Sequence, residues 1–197
     1  MSFFSKSVQA FLIFVACASM SACMMTRTTG GNADFRFLNY ESPLAGTALF
    51  KHRIDARFDN GKNAAGYVAL AKWDQNALTL IATGDMGRLC KIVLKNDNSS
   101  EQFAAAFLPE EARKNLHFAL RDFQFIFYSP QQIADGGIYR AEENDVPATK
   151  SRSRKIFENG EPLLTINYSP ADVPVQKQTI SVVCHKWHYD YSLSPID

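Results

Sequence analysis

"FKHRIDARFDNGKNAAGYVALAKWDQNALTLIATG" (residues 50–84) is the stretch whose reading decides the fold. Phe50, Ile54, Ala56 and Phe58 share one face with His52, and Lys51, Arg53, Asp55 and Arg57 share the other. Successive strand side chains point to opposite faces, so this alternation predicts a sheet packed on one side and wet on the other. Asn60-Gly61 then supplies a hairpin turn. "GYVALAKW" follows, Asp74-Gln75-Asn76 turns the chain again, and "ALTLIAT" reads as a third strand. A fourth, "RLCKIVLK", stops at the polar cluster "NDNSS".

Downstream the period changes. "SSEQFAAAFLPEEARKNLHFALRDF" (residues 99–123) reads as helix, with Ser99 or Ser100 as N-cap and Pro109 dividing it in two. In its second part Ala112, Leu116, Ala119 and Leu120 form an apolar stripe. "FQFIFY" fits helix or strand. Ser129-Pro130 opens a short helix, "PQQIADGG", stopped by Gly136-Gly137. The chain then returns to strands, with "RKIFENGEPLLTINYS" as a hairpin around Asn159-Gly160 and "QTISVVCHKWHYDYSL" as another turning near His185 to Trp187. Strands, then helices, then strands predict an α+β fold, an antiparallel sheet curling around helices from the middle of the chain.

The first residues carry one charge, Lys6, and an apolar run too short to be a comfortable membrane span. Met20-Ser21-Ala22-Cys23 resembles the lipobox cut by lipoprotein signal peptidases, which assigns residues 1–22 to a signal peptide and makes Cys23 the acylated residue. Residues 23–34 then read as a polar, Gly-containing tether and 35–197 as a single domain. Loss of Lys6 leaves the mature chain with equal basic and acidic counts, a balance with nothing to suggest nucleic acid as a partner. Removal of Cys17 and acylation of Cys23 leave Cys90 and Cys184, which either pair in an oxidising compartment or stay as two separate buried thiols.

The order of elements over residues 48–193 resembles the LolA/LolB group of periplasmic lipoprotein carriers, LolB the more because of the lipobox. Leu120, Asp122, Gln124, Tyr128 and Pro130 resemble an L-x-D-x-Q-x motif with a following aromatic and Pro, from a LolB-like lipoprotein family often encoded beside aryl-polyene and fatty-acid-like biosynthesis genes. The resemblance implies an unclosed half-barrel covered by helices, with an apolar cavity for an acyl, polyene or lipoprotein chain. With Met24 in place of the inner-membrane retention Asp, it implies an anchor in the outer membrane facing the periplasm. It also implies that the loop carrying Met86 and Gly87 delivers cargo into the membrane. The Phe-rich middle of the chain supplies candidates for the cavity lining: Phe103, Phe107, Leu116, Phe118, Leu120, Phe123, Phe125 and Phe127.

Catalytic signatures are absent from the sequence: there is no G-x-S-x-G elbow, phosphate loop or H-E-x-x-H. Cys184, His185 and His188 have ligand-like spacing but read as an aromatic, polar hairpin end rather than a metal site. In "KSRSRK", Lys150, Arg152 and Arg154 would share one face, as a solvated strand edge or a contact for head groups or a partner. The expectation is a non-catalytic, cofactor-free monomer that holds a hydrophobic molecule or, as a scaffold, a periplasmic protein partner.

Overall fold

The computed structural model describes residues 25–28, 38–42, 46–58, 63–85, 87–108, 116–135 and 137–196. Eleven strands form one antiparallel sheet: β1 (Met25–Thr28), β2 (Ala48–Phe58), β3 (Asn63–Trp73), β4 (Ala77–Gly84), β5 (Gly87–Lys95), β6 (Ser100–Ala105), β7 (Tyr139–Val146), β8 (Ser151–Glu158), β9 (Glu161–Ser169), β10 (Thr179–Cys184) and β11 (Tyr189–Pro195). Among the described residues two helices, α1 (Leu116–Phe127) and α2 (Pro130–Ala134), lie between β6 and β7. The spatial order is β1-β6-β5-β4-β3-β2-β11-β10-β9-β8-β7, so the sheet is open, with β1 and β7 at its edges.

Two meanders, β2 to β6 and β7 to β11, meet where β2 pairs with β11. The helical connection must therefore pass from one side of the sheet to the other. Laid flat, the nine inter-strand gaps from β6 to β7 would measure about 43 Å, against about 18 Å for α1. The sheet is curled instead: Ile92 and Leu94 of β5, Leu120 and Phe125 of α1, and Ile156 and Ile180 of β8 and β10 belong to one buried cluster.

Local chemistry explains the turns. Asp74 Oδ1 accepts from the backbone N–H of Asn76 (2.9 Å) and Ala77 (3.2 Å). Asn159 and Gly160 both have positive φ, 53° and 88°, the pair of left-handed positions that a tight hairpin turn needs. Ser129 and Gln132 form a capping box at α2, with Pro130 at its first position.

Helix α1 is buried almost all round, from Leu120 through Ile126. Its last carbonyls are buried, and β8 and β9 supply their donors. Arg154 Nη1 donates to the carbonyl oxygens of Phe125 (2.5 Å), Ile126 (3.3 Å) and Tyr128 (2.7 Å), and Tyr168 Oη donates to Ile126 O (2.9 Å). Glu143 Oε1 balances the guanidinium through Nε (2.8 Å) and Nη2 (2.5 Å). Arg154 is thus a buried helix cap, and the reading of "KSRSRK" as a solvated edge or head-group contact fails for it. β8 is not an edge, and Arg152 lies over the Tyr168 ring.

Three other expectations are corrected. Residues 100–105 are strand β6, not helix, because the β5–β6 turn folds them back on β5. Asp97 accepts from Ser99 N–H (2.8 Å), Asn98 adopts φ 63°, and Lys95 pairs with Glu101 (2.7 Å). Residues 25–28 of the expected tether pair with the otherwise free edge of β6. "YRAEENDV" is the unforeseen edge strand β7. "FQFIF" is helical. The Asn60-Gly61 turn and Pro109 lie outside the described residues.

Replacing Arg154 by Met should lower unfolding free energy by about 3–5 kcal/mol, because it strips three carbonyls of a donor and leaves Glu143 uncompensated. The exposed Lys155→Ala should stay within about 0.5 kcal/mol. Urea midpoints at unchanged slope measure both; equal midpoints would show that the cap does not hold α1.

Candidate functional site

The inner face of the sheet is not uniformly covered. At one end Trp73 and Leu78 are buried, and Trp73 stacks on Tyr128 at 5.3 Å and meets Phe123 edge-on. The segment at residues 38–42 straps this end. Gln124 Nε2 donates to Leu38 O (2.8 Å) while its Oε1 accepts from Leu38 N–H (3.1 Å), and Trp73 Nε1 donates to Glu41 O (2.8 Å). Tyr128 Oη accepts from Glu41 N–H (3.3 Å).

Toward the other end the same strands open. Tyr67 and Ala69 of β3 and Leu80 and Ala82 of β4 face the helix side yet remain half-buried, as does Leu116 of α1. β3 and β4 are paired so that Ala69 opposes Ala82, and β4 and β5 so that Ala82 opposes Cys90. Small side chains in register across strands leave α1 a shallow trough to bridge. These half-buried positions lie toward the end of the sheet where β4 gives way to β5, at Gly84 and Gly87.

A polar cluster joins α1 to β11. Asp122 Oδ1 accepts from Arg121 Nε (3.1 Å) and Nη2 (2.8 Å), and its Oδ2 accepts from Tyr189 Oη (2.7 Å) and Tyr191 Oη (3.2 Å). Arg121 is fully buried between aromatic faces, its guanidinium 4.8 Å from the Phe118 ring and 4.7 Å from Trp187. Burial disfavours its charge, but Asp122 and Tyr189 offset this and leave its pKa raised. Burial, then the neighbouring Asp122 carboxylate, also pushes the Tyr189 and Tyr191 hydroxyls well above the usual tyrosine value. With four donors on one carboxylate, Asp122 is committed to holding helix against sheet.

The motif residues therefore do structural work. Leu120 is core, Asp122 fixes α1 to β11, Gln124 and Tyr128 hold the strap, and Pro130 starts α2.

The expected lining residues separate. Leu116 borders the trough, whereas Phe127 packs on Phe50 (4.5 Å) and Phe123 (4.4 Å) at the filled end. Leu120, Phe123 and Phe125 are packed core, with Phe125 edge-on to Tyr139 at 4.8 Å. Phe118 lies against Trp187 (4.8 Å), Phe107 joins the small Leu89–Leu108 cluster, and Phe103 sits opposite Lys91, whose ammonium lies 5.9 Å from its ring. Phe103 is turned to the outer face because residues 100–105 are strand. Cys90 and Cys184 do not pair: β5 and β10 are five positions apart in the sheet, and both are free buried thiols. Burial pushes the Cys90 thiol up to about 11. Cys23 and Met86 lie outside the described residues; Gly87 is described, with φ 100°.

Sequence reading passed over Tyr67, Ala69, Leu80 and Ala82 as ordinary strand residues. The available signal was alanine at alternate positions of "AAGYVALA", which leaves room on one face. On the opposite, outer face an open depression of about 770 Å³ is bordered by Arg53, Asp55, Arg57, Gly66 and Asp190. Its charges are matched: Arg53 with Asp55 (3.2 Å) and Arg57 with Asp190 (2.7 Å). Among the described residues no helix is long and apolar enough to cross a membrane, and no group of three side chains could hold a metal ion.

An unclosed antiparallel sheet wrapped on one buried helix defines the class of this protein. The chain belongs to the family described as protein of unknown function (DUF3261), whose model matches residues 54–197. No curated protein matches the chain.

Asp122→Ala should lower stability by about 3–5 kcal/mol, since Arg121 would stay buried without its carboxylate. Tyr189→Phe should cost about 1.5–3 kcal/mol, one hydrogen bond to a charged group. Urea unfolding reads both. An Asp122→Ala chain as stable as the parent would mean that the cluster does not tie α1 to the sheet.

Proposed function

We propose that this is a lipoprotein, anchored through acylated Cys23 in the outer membrane and facing the periplasm, whose LolB-like half-barrel binds or transfers a hydrophobic acyl, polyene or lipoprotein chain without catalysis. The observation that carries this reading is the trough of half-buried apolar residues on the inner face, Tyr67, Ala69, Leu80 and Ala82, with Leu116 of α1 half-buried beside them. Apolar surface left between a helix and its own sheet gains by taking an apolar chain out of water, at about 25 cal/mol per Å². The trough lies toward the end of the sheet that carries the β4–β5 loop, the loop to which the resemblance gives membrane delivery. Transfer would run toward whichever site buries the chain better.

A second reading, a scaffold that holds a partner protein, is favoured by the filled end of the interior. There Phe50, Trp73, Phe123 and Phe127 pack ring against ring at 4.4–6.3 Å.

Mass spectrometry of organic extracts separates the two. The full chain carrying Cys23→Ala, exported in its own host and purified without detergent, should yield a stoichiometric acyl or polyene species absent from a control periplasmic protein. Ala69→Trp, which fills the trough, should lose it. An empty chain that also fails to bind a fluorescent fatty acid would support the scaffold.

A further inference from the structure

His52 is the one imidazole on the inner face of β2, between Phe50 and Ile54, and it is 2 % exposed. Its ring lies 6.3 Å from that of Phe127, and its Nε2 has no hydrogen-bond partner among the described residues. A buried polar atom without a partner loses about 1–3 kcal/mol of stability, so an orphan nitrogen in an apolar interior needs a physical reason.

The strand register supplies one. His52 opposes Ala69, Ala69 opposes Ala82, Ala82 opposes Cys90 and Cys90 opposes Ala104. A single cross-strand row of small side chains thus runs from β6 to β2 and ends at His52. Four inter-strand gaps make it about 19 Å long, and its far members, Cys90 and Ala104, are covered by the protein's own side chains. Ala69 and Ala82, the two members nearest His52, are half-buried. The charged neighbours on β2, Lys51 and Arg53, point to the opposite face. Asp122 is already committed to Arg121, Tyr189 and Tyr191.

We propose that His52 is the polar end-stop of this row and selects a neutral long-chain ester or alcohol, its Nε2 hydrogen-bonding the ester carbonyl or the hydroxyl oxygen. The inference rests on the carrier reading above and specifies its cargo. A carboxylate is disfavoured at this end because burying it without a cation is far more unfavourable than burying an ester carbonyl with one hydrogen bond. Burial also lowers the pKa of His52, which keeps the imidazole neutral and unable to serve as that cation.

The test uses the full chain carrying Cys23→Ala and two probes, a fluorescent conjugated tetraenoic fatty acid and its methyl ester, each titrated at neutral pH. The parent should bind the ester at least about tenfold more tightly than the acid. His52→Phe should remove that preference while folding at least as stably, because no orphan nitrogen remains. His52→Gln, which keeps a donor, should restore part of the preference. Equal binding of acid and ester by the parent, or an ester preference unchanged in His52→Phe, would overturn the role of His52 and leave the carrier reading standing. Binding of neither probe to any variant would overturn the carrier reading, and the role of His52 with it.

Discussion

A helix enclosed by its own sheet has no water at its last turn, and in this protein Arg154 takes water's place. One guanidinium serves three carbonyls at the end of α1 and meets Glu143 on the far side. Without such a donor the orphan carbonyls would have to be exposed, and α1 could not lie inside the curl. The topology then follows from the same requirement. A connection that leaves one sheet edge and returns at the other must cross the inner face, and it can remain there only if both its apolar and its polar groups are satisfied by strands.

The two ends of the helix are satisfied differently, and this difference creates the site. Around its C-terminal half, Arg154, Tyr168, Gln124 and Tyr128 engage backbone groups, while large rings fill the space under the strap. Around its first half, the attachment is a buried ion pair with two tyrosines, and the inner positions of β3 and β4 include Ala69 opposite Ala82. Bulky groups close one end; small groups leave the other shallow. An apolar trough between two rigidly tied elements is an arrangement suited to holding a chain by burial, with one polar contact to fix its register.

Much of this was legible where the signal was local. The alternation in β2, the Asn159-Gly160 turn and the Ser129-Pro130 cap were all read correctly, because each depends on residues adjacent in sequence. "EQFAAA" was read as helix because its alanines favour one; only the cross-strand partners on β5, far weaker as a sequence signal, make it β6. β7 was missed because it is an edge strand with polar residues on both faces and no apolar alternation. Arg154 could not be distinguished from its neighbours, since what buries it is a helix end that the sequence does not place beside it. The trough was illegible for the same reason. Its row takes one residue from each of five strands, and only the register aligns them.

The central claim is that the inner face between α1 and strands β3 to β5 receives an apolar chain. The most direct measurement is a titration of alanine- and leucine-methyl-labelled protein with a long-chain ester, followed by methyl NMR. The account predicts shifts at Ala69, Ala82, Leu80 and Leu116, with Ala64 on the opposite face unmoved. Saturable binding that shifts Ala64 and leaves those four methyls in place would contradict it.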